Sequence, residues 1–384
     1  MYFIGADHHK RSTYMTSLDA SGQVVFKGNL SADRVTLERF LREHPKPFVL
    51  GIEACYAWEY VADLAEGFGQ EVRVGHPLLL KAFARKHKKN DKIDSALLAR
   101  LLARGDFPAI AHPPKEARAR RDVYRQRLEL VRRRSGAISR AKALADRLGF
   151  TFAEDLATDK GIALFERLSF PDASLAVRES HVTLLRFLRR EIQRIEKAID
   201  QCAQSSPSSR RLDTIPGIAS YLALLIDSEV FDIQRFATLP RFHAYSGVAP
   251  GSLASGGKVY AARLSPQVNR YLRWAFMEAA PHYTRQCPYA QAIYDQIKRR
   301  KGWKTARLAI ARHVATIVYH VLREQRDYQP LSPAQAATAQ PIKARTTTTT
   351  ETTTARFQEE THNGNDTTTT DRRGPNAGPD SPGV

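Results

Sequence analysis

Tyr2-Phe3-Ile4-Gly5-Ala6-Asp7 and Phe48-Val49-Leu50-Gly51-Ile52-Glu53 are two short apolar runs, each ending on a carboxylate. Runs of this length bounded by polar residues read as strands. Working outward, residues 1 to 30 alternate short apolar runs with a turn at Asp19-Ala20-Ser21-Gly22, which predicts two or three antiparallel strands joined by hairpins. Ser31 is a plausible N-cap for a helix through about Arg42. Pro47 to Glu53 then reads as a buried strand, Ala57 to Phe68 as a helix and Glu71 to Val74 as the next strand. A basic segment, Lys81 to Lys89, leads to Asn90 as N-cap of a helix from Asp91 to Arg104 that Gly105 ends. Strands followed by strands alternating with helices describe an RNase H-like α/β domain over 1–110.

Two more acids, Asp91 and Asp94, open that last helix. Three residues apart, their side chains leave nearly the same face, and the strand ends at Asp7 and Glu53 can converge on it. Four carboxylates can hold two divalent cations, with Mg²⁺ the natural choice for hard oxygen ligands. Two such ions stabilise the attacking and leaving oxygens of a phosphoryl displacement, so the set reads as a nuclease-type metal site. Each acid taken singly has a commoner explanation, as a helix-dipole or turn residue.

The 384 residues carry a formal net charge of +19, with 42% hydrophobic residues, enough for buried cores in two or three domains. Residues 331–384 hold five Lys or Arg against six Asp or Glu, so the positive excess lies on the first 330 residues. A region this basic suffers self-repulsion unless a polyanion relieves it, which points to nucleic acid. No apolar run reaches membrane-spanning length and the start lacks the pattern of a secretion signal, so the expectation is a cytoplasmic, nucleoid-associated protein with no membrane partner. Cys55, Cys202 and Cys287 show no CxxC spacing and read as buried free thiols.

From Lys115 to Arg147 the chain is helical in composition, with twelve Lys or Arg against four Asp or Glu. A second helical stretch, about 173 to 203, sets Leu185, Leu188, Ile192, Ile195, Ile199 and Cys202 at steps of three and four, a coiled-coil seam. Under three heptads long, it closes a helical hairpin or a contact between copies, and the expectation leans to a homo-oligomer, dimer or tetramer. Residues 111–207 thus form a basic helical, coiled-coil segment. A mostly helical domain spans 208–328, ending in an amphipathic helix from Trp303 to Arg323. After Pro330 the Thr-, Pro- and Gly-rich chain reads as a disordered tail, 329–384.

The segments Gly5-Ala6-Asp7-His8-His9-Lys10, Gly51-Ile52-Glu53-Ala54-Cys55 and Lys89-Asn90-Asp91-Lys92-Ile93-Asp94-Ser95-Ala96 resemble the tetrad motifs of the DEDD transposases of bacterial insertion sequences. That family is typified by insertion sequence one-hundred-and-ten, and its catalytic domain resembles the Holliday-junction resolvase RuvC. Tyr245-Ser246-Gly247-Val248-Ala249-Pro250, followed by Ala254-Ser255-Gly256-Gly257-Lys258, resembles the family's carboxy-terminal domain. The likeness runs over about residues 1 to 325 in the family's order. Ala6 and His8, and Val268 before Asn269, depart from its usual pattern.

The resemblance implies that Asp7, Glu53, Asp91 and Asp94 bind metal and act in catalysis, and that Ser255 is the nucleophile, with Ser246 and Ser252 close enough to be rivals. It implies transposition through a phosphoserine intermediate, DNA as substrate, and guidance by an element-encoded RNA. Lys81, Arg85, Lys86, Lys88, Lys89, Lys258, Arg263, Arg270 and Arg273, with the 115–147 helix, are the expected contacts to nucleic acid. Phe83, Tyr124 and Tyr260 are candidates for stacking on unpaired bases. The rival readings are a metal-dependent junction resolvase or nuclease that uses water as nucleophile, and a non-enzymatic basic nucleic-acid-binding protein.

Overall fold

In the computed structural model the first apolar run lies inside a mixed sheet. Strand β1 (Tyr2–His8) pairs antiparallel with β2 (Ser12–Leu18), and β2 pairs antiparallel with β3 (Val24–Ser31). On its other side β1 pairs parallel with β4 (Phe48–Glu53), which pairs parallel with β5 (Glu71–Gly75); the short β6 (Ala109–Ile110) closes the edge, giving the order β3-β2-β1-β4-β5-β6. The structure describes residues 1–83, 91–249, 252–255, 258–261 and 268–330, with the side chains of 91, 92, 252–255 and 258–261 outside that description.

Helices cover both faces of the sheet. Successive strand residues point to opposite sides, so Ile4, Ala6, Met15, Leu50, Ile52 and Val74 pack against α1 (Arg34–Glu43) and α2 (Trp58–Gly67), through Leu37, Leu41, Val61 and Ala62. On the other face Phe3 and Val49 meet Leu80 of α3 (Pro77–Phe83), Leu98, Leu101 and Leu102 of α4 (Asp91–Arg104), and Phe107. Burial on both sides explains why β4 reads as a continuous apolar run rather than an alternating one. Each such side chain removed from water contributes about 1.5–3 kcal/mol.

Two glycines set how closely α4 lies on the sheet. A Cβ on Gly5 would stand 2.1 Å from the Ser95 carbonyl oxygen and 2.5 Å from the Ala99 nitrogen; one on Gly51 would stand 2.7 Å from Leu102 Cδ1. The helix backbone therefore rests on the strand backbone, a contact that only glycine permits. Thr16 Oγ1 on β2 and Ser95 Oγ, both buried, meet at 2.9 Å and fix the helix along the strands.

The cap of α1 differs from expectation. Ser31 is the last residue of β3, held in the ladder opposite Ser12, so the first free acceptor before the helix is Asp33, whose carboxylate takes the Thr36 N–H at 2.9 Å. The Ser31 hydroxyl, then Thr36, hold the Asp33 carboxyl at about 2. The expected N-cap Asn90 lies outside the described residues.

The helical part begins with α5 (Lys115–Arg147), α6 (Asp159–Glu166) and α7 (Asp172–Ser205). Leu185, Leu188 and Ile192 of α7 are buried with Leu130, Ala137, Ala141 and Leu144 of α5 and Ile162 and Phe165 of α6, while Ile199 continues the line onto Leu224. The heptad-like seam is thus covered from within the chain. It closes an intramolecular helix pair. Short helices α8 (Pro207–Asp213), α9 (Ser220–Val230) and α10 (Leu239–Tyr245) follow, then the strand pair β7 (Ser252–Ser255) and β8 (Lys258–Ala261). Helices α11 (Arg270–Gln286), α12 (Pro288–Lys301) and α13 (Trp303–Glu324) complete the described chain.

Gly5→Ala forces α4 off β1 because the new methyl group meets backbone rather than a yielding side chain; urea denaturation is expected to show a loss of about 3 kcal/mol or more. A second expectation concerns pH. Burial lowers the pKa of His8, His44, His181, His243 and His313, that of His243 to about 4 with Arg312 adding to the effect. Such groups bind fewer protons folded than unfolded, so stability is complete above about pH 6.5 and is lost as pH falls toward 4, by up to about 1.4 kcal/mol per unit for each histidine. Melting temperatures across that range should fall, and His243→Gln should flatten the slope.

Candidate active site

Strands β1 and β4 run parallel and in register through Ala6 and Ile52. The next residue on each is an acid, Asp7 beside Glu53. Both are two positions beyond a glycine that faces α4, so both carboxylates project from the α4 side of the sheet, at the ends of neighbouring strands. Cys55 senses the pair. Although this residue keeps solvent exposure, its Sγ turns back to within 3.6 Å of the His8 carbonyl, and burial, then Glu53, then Asp7 push the thiol up to about 11.

Two carboxylates side by side repel, and a cation between them relieves the repulsion. His9 Nε2 lies 3.3 Å from Asp7 Oδ2, and the imidazolium form would supply part of that relief. Asp94 sits in the first turn of α4, next to Ser95, which is locked onto β2. The glycine contact therefore brings this turn onto the sheet from which Asp7 projects. Asp91 opens the same helix, but its side chain lies outside the described residues. Among the described residues, no three His, Cys, Asp or Glu side chains form a group that could by themselves hold a metal.

Ser255 is the last residue of β7, registered opposite Lys258 of β8; the side chains of both lie outside the described residues, as does Arg263. The feet of this segment are tied together. Asn269 N–H donates to the Tyr245 carbonyl at 2.8 Å. Gly247, at φ +66°, lies so close that a Cβ would stand 3.1 Å from Val268 and 3.2 Å from Arg273. Ser246 is fully buried, sealed from any DNA strand, and is set aside as a nucleophile. Arg270, the first residue of α11, is exposed, whereas Arg273 is half-buried against Gly247. Lys81 is exposed at the end of α3; Arg85, Lys86, Lys88 and Lys89 lie outside the described residues.

A buried carboxylate anchors those feet, and sequence reading missed it. Glu229 of α9 is 2% exposed. Its oxygens accept from Arg125 Nη2 at 2.8 Å, from the Tyr124 hydroxyl and from Asn269 Nδ2 at 2.7 Å, with Arg121 Nη2 at 3.2 Å. Asn269 also caps α11, its side-chain oxygen accepting from the Tyr271 and Leu272 N–H groups at 3.0 Å. Burial raises the Glu229 pKa, but Arg121, with Tyr124, Asn269 and Arg125, outweighs it and holds the carboxyl below its ordinary value.

Tyr124 is fully buried in this network, so it is not available to stack on a base. Much of the basic surface expected of α5 is likewise turned inward. Arg118 pairs with Asp63, Arg121 and Arg125 with Glu229, and Arg127 with Glu196. Their carboxylates come from distant parts of the chain, where no local spacing could announce them.

With this geometry in place, the comparisons fit it. A family model for DEDD transposases of the IS110 type, described as "Transposase", matches residues 4–149, the stretch that holds all four acids. A second, described as "Transposase IS116/IS110/IS902 family", matches residues 209–295, which hold Glu229, Ser255 and Asn269. The chain belongs to this family. It is a transposase, an enzyme of DNA recombination, and DNA is its partner. It is similar to the "Transposase for insertion sequence element IS1328" of Yersinia enterocolitica, 24% identical over 83% of this chain and 96% of that protein. It is also similar to a "Probable family 20 transposase" of Pseudomonas aeruginosa, 25% identical over 85% of this chain and 98% of that protein. The DEDD match suggests an RNase H-like fold for the transposase's mixed sheet, and this family is generally dependent on divalent metal. No helix among the described residues is long and apolar enough to cross a membrane.

Glu229→Ala in the transposase strands Arg121 and Arg125 and is expected to cost about 3–5 kcal/mol by chemical denaturation. Glu229→Gln combined with Asn269→Asp moves the negative charge one side chain over and reverses the hydrogen bond between them. The pair should recover most of the stability that Glu229→Gln alone loses.

Proposed function

We propose that this transposase cuts and exchanges DNA strands through a phosphoserine intermediate, with Ser255 as nucleophile and Asp7, Glu53, Asp91 and Asp94 holding Mg²⁺, in all two ions. The observation that carries the reading is the placement of Asp7 and Glu53 at the ends of adjacent parallel strands, on the face that the first turn of α4 reaches. Bound there, divalent cations would polarise the scissile phosphate and offset charge on the oxygens entering and leaving it.

In this reading the Ser255 hydroxyl attacks phosphorus and gives up its proton to a base. The phosphorus–oxygen bond of the strand breaks, and its leaving oxygen takes a proton to end as a free hydroxyl. A hydroxyl from the partner strand then attacks the phosphoserine, restoring the serine and joining the new strand. A serine hydroxyl is a weak nucleophile on its own, so the carboxylate site and Ser255 complement each other. Lys258, Arg263, Arg270 and Arg273 would hold the phosphate, and Lys81, Arg85, Lys86, Lys88 and Lys89 the nucleic-acid backbone.

The division of labour we propose assigns 1–110 to the RuvC-like carboxylate domain, 111–207 to the basic helical segment, 208–328 to the serine domain and 329–384 to a tail. A composite centre shared between copies, in a dimer or tetramer, suits the reading. Sequence choice would fall to an RNA encoded by the element, pairing with donor and target, while the protein grips backbone and shape.

Incubating the full-length protein with Mg²⁺, its candidate guide RNA and labelled element-end DNA should yield a covalent protein–DNA adduct that resists denaturation. Ser255→Ala should abolish the adduct. Asp7→Ala should lower cleavage by at least about a hundredfold, the scale of losing transition-state charge stabilisation. Cleavage by Ser255→Ala at the wild-type rate would reject the serine route in favour of water attack at the carboxylates.

A further inference from the structure

The tip between α12 and α13 reads Lys298-Arg299-Arg300-Lys301-Gly302-Trp303-Lys304. Four cations end one helix, a glycine at φ +79° turns the chain, and the next helix opens on a tryptophan and a fifth cation. All five cations are exposed, and no carboxylate pairs with any of them among the described residues. Trp303 is 53% exposed. Lys304 Nζ lies 5.6 Å from its centroid, and Lys298 Nζ lies 5.9 Å from the ring of Tyr294 on α12.

Local helix energetics account for only part of this composition. Cations in the last turn of α12 complement its dipole. Lys304 does the opposite, since it stands in the first turn of α13, which has no acidic residue there and no side-chain cap. Four consecutive cations repel one another, and an exposed indole leaves a large apolar face in water. Three local rules are broken within seven residues. Such breaches without a structural gain mark a functional surface. Arg307, one turn further on, shows the contrast: it donates to the Met277 carbonyl at 2.8 Å and pairs with Glu278 at 3.3 Å.

A partner that relieves all three strains carries repeated negative charge and a flat apolar group at the same spacing. Nucleic acid with an unpaired base has both: phosphates for the cations and an open π-face for the indole. In a duplex the bases are already stacked, and the indole would gain nothing. We propose that the α12–α13 tip is a second nucleic-acid contact of this transposase, lying outside the carboxylate and serine segments, in which Trp303 stacks on an unpaired base while Lys298, Arg299, Arg300, Lys301 and Lys304 hold the flanking phosphates.

The test titrates the full-length protein against a short labelled single strand and against the duplex of the same sequence. Trp303→Ala is expected to weaken single-strand binding by about fivefold to a hundredfold while duplex binding changes by less than about twofold. Trp303→Phe, which keeps a stacking ring, should restore most of the loss. Replacing Lys298, Arg299, Arg300 and Lys301 by Gln should flatten the dependence of log affinity on log salt for the single strand by about 2 to 3. Single strands carrying one 5-iodouracil should crosslink under ultraviolet light to Trp303, located by mass spectrometry. Circular dichroism melts confirm that each variant is folded before it is scored. Wild-type single-strand affinity in Trp303→Ala, equal losses on single strand and duplex, or an unchanged salt slope in the Gln variant would each overturn the proposal. The measurement needs no catalysis, so it stands or falls apart from the serine mechanism.

Discussion

The contact of α4 with the sheet is the constraint on which the rest of the sheet region depends. Gly5 and Gly51 remove the side chains that would hold helix and strand apart, and the Ser95 carbonyl and Ala99 nitrogen occupy the space a Cβ on Gly5 would need. A strand residue can serve either packing or chemistry. Here the two are separated by two positions, glycine for the helix at 5 and 51, then a carboxylate on the same face at 7 and 53. Moving the helix outward would separate its first turn from the acids on the strands. Position 5 therefore sets how closely those acids approach one another as well as stability, although its residue has no side chain of its own.

The helical half obeys a different constraint, imposed by charge. A strongly basic chain must keep its cations apart or pair them, and α5 does both. Its inward arginines meet Asp63, Glu196 and Glu229, which costs desolvation but joins α5 to α2 beside the sheet, to α7, and to α9. The pairing at Glu229 reaches furthest, because Asn269 carries it to the cap of α11 and to the feet of the β7–β8 segment. One buried carboxylate thus links the long helix α5 with the segment that bears the serine motif. A buried ion pair of this kind is weak evidence for stability in itself. Its value lies in fixing one arrangement, since removing any one partner leaves the others unsatisfied.

What was legible in the sequence follows from which interactions are local. Strands β1 to β5, the helix spans of α2, α4, α5 and α7, and the glycine stop at Gly105 rest on periodicity and turn chemistry, and the structure has them within a few residues of expectation, whereas β6, β7 and β8 were not expected. The acids at strand ends were legible because strand parity and apolar runs are local too. The cap of α1 was read two residues early because Ser31 is an equally good cap in isolation; only the ladder to Ser12 claims it for the sheet. The α7 seam was correctly periodic, yet periodicity does not say whether its partner is the same chain or another, and here α5 supplies it. Tyr124 and Glu229 show the limit most plainly: 105 residues separate them, and neither has a neighbour in sequence that reveals the other.

Seen through charge, the chain sorts its cations into three kinds. Arginines such as Arg121 and Arg127 are neutralised by carboxylates and act as struts. Arg270 and Lys81 stay exposed. The cluster from Lys298 to Lys304 is exposed and has no carboxylate partner among the described residues. A nucleic-acid enzyme that only needed affinity could scatter its charge, because counterion release depends on how many phosphates are met and not on where. Concentrating five cations around one exposed indole instead ties charge to a base-sized apolar surface, and that combination distinguishes an unpaired strand from a duplex. Under the proposed strand exchange such discrimination would have a mechanical use, since it would hold strands apart once they are parted.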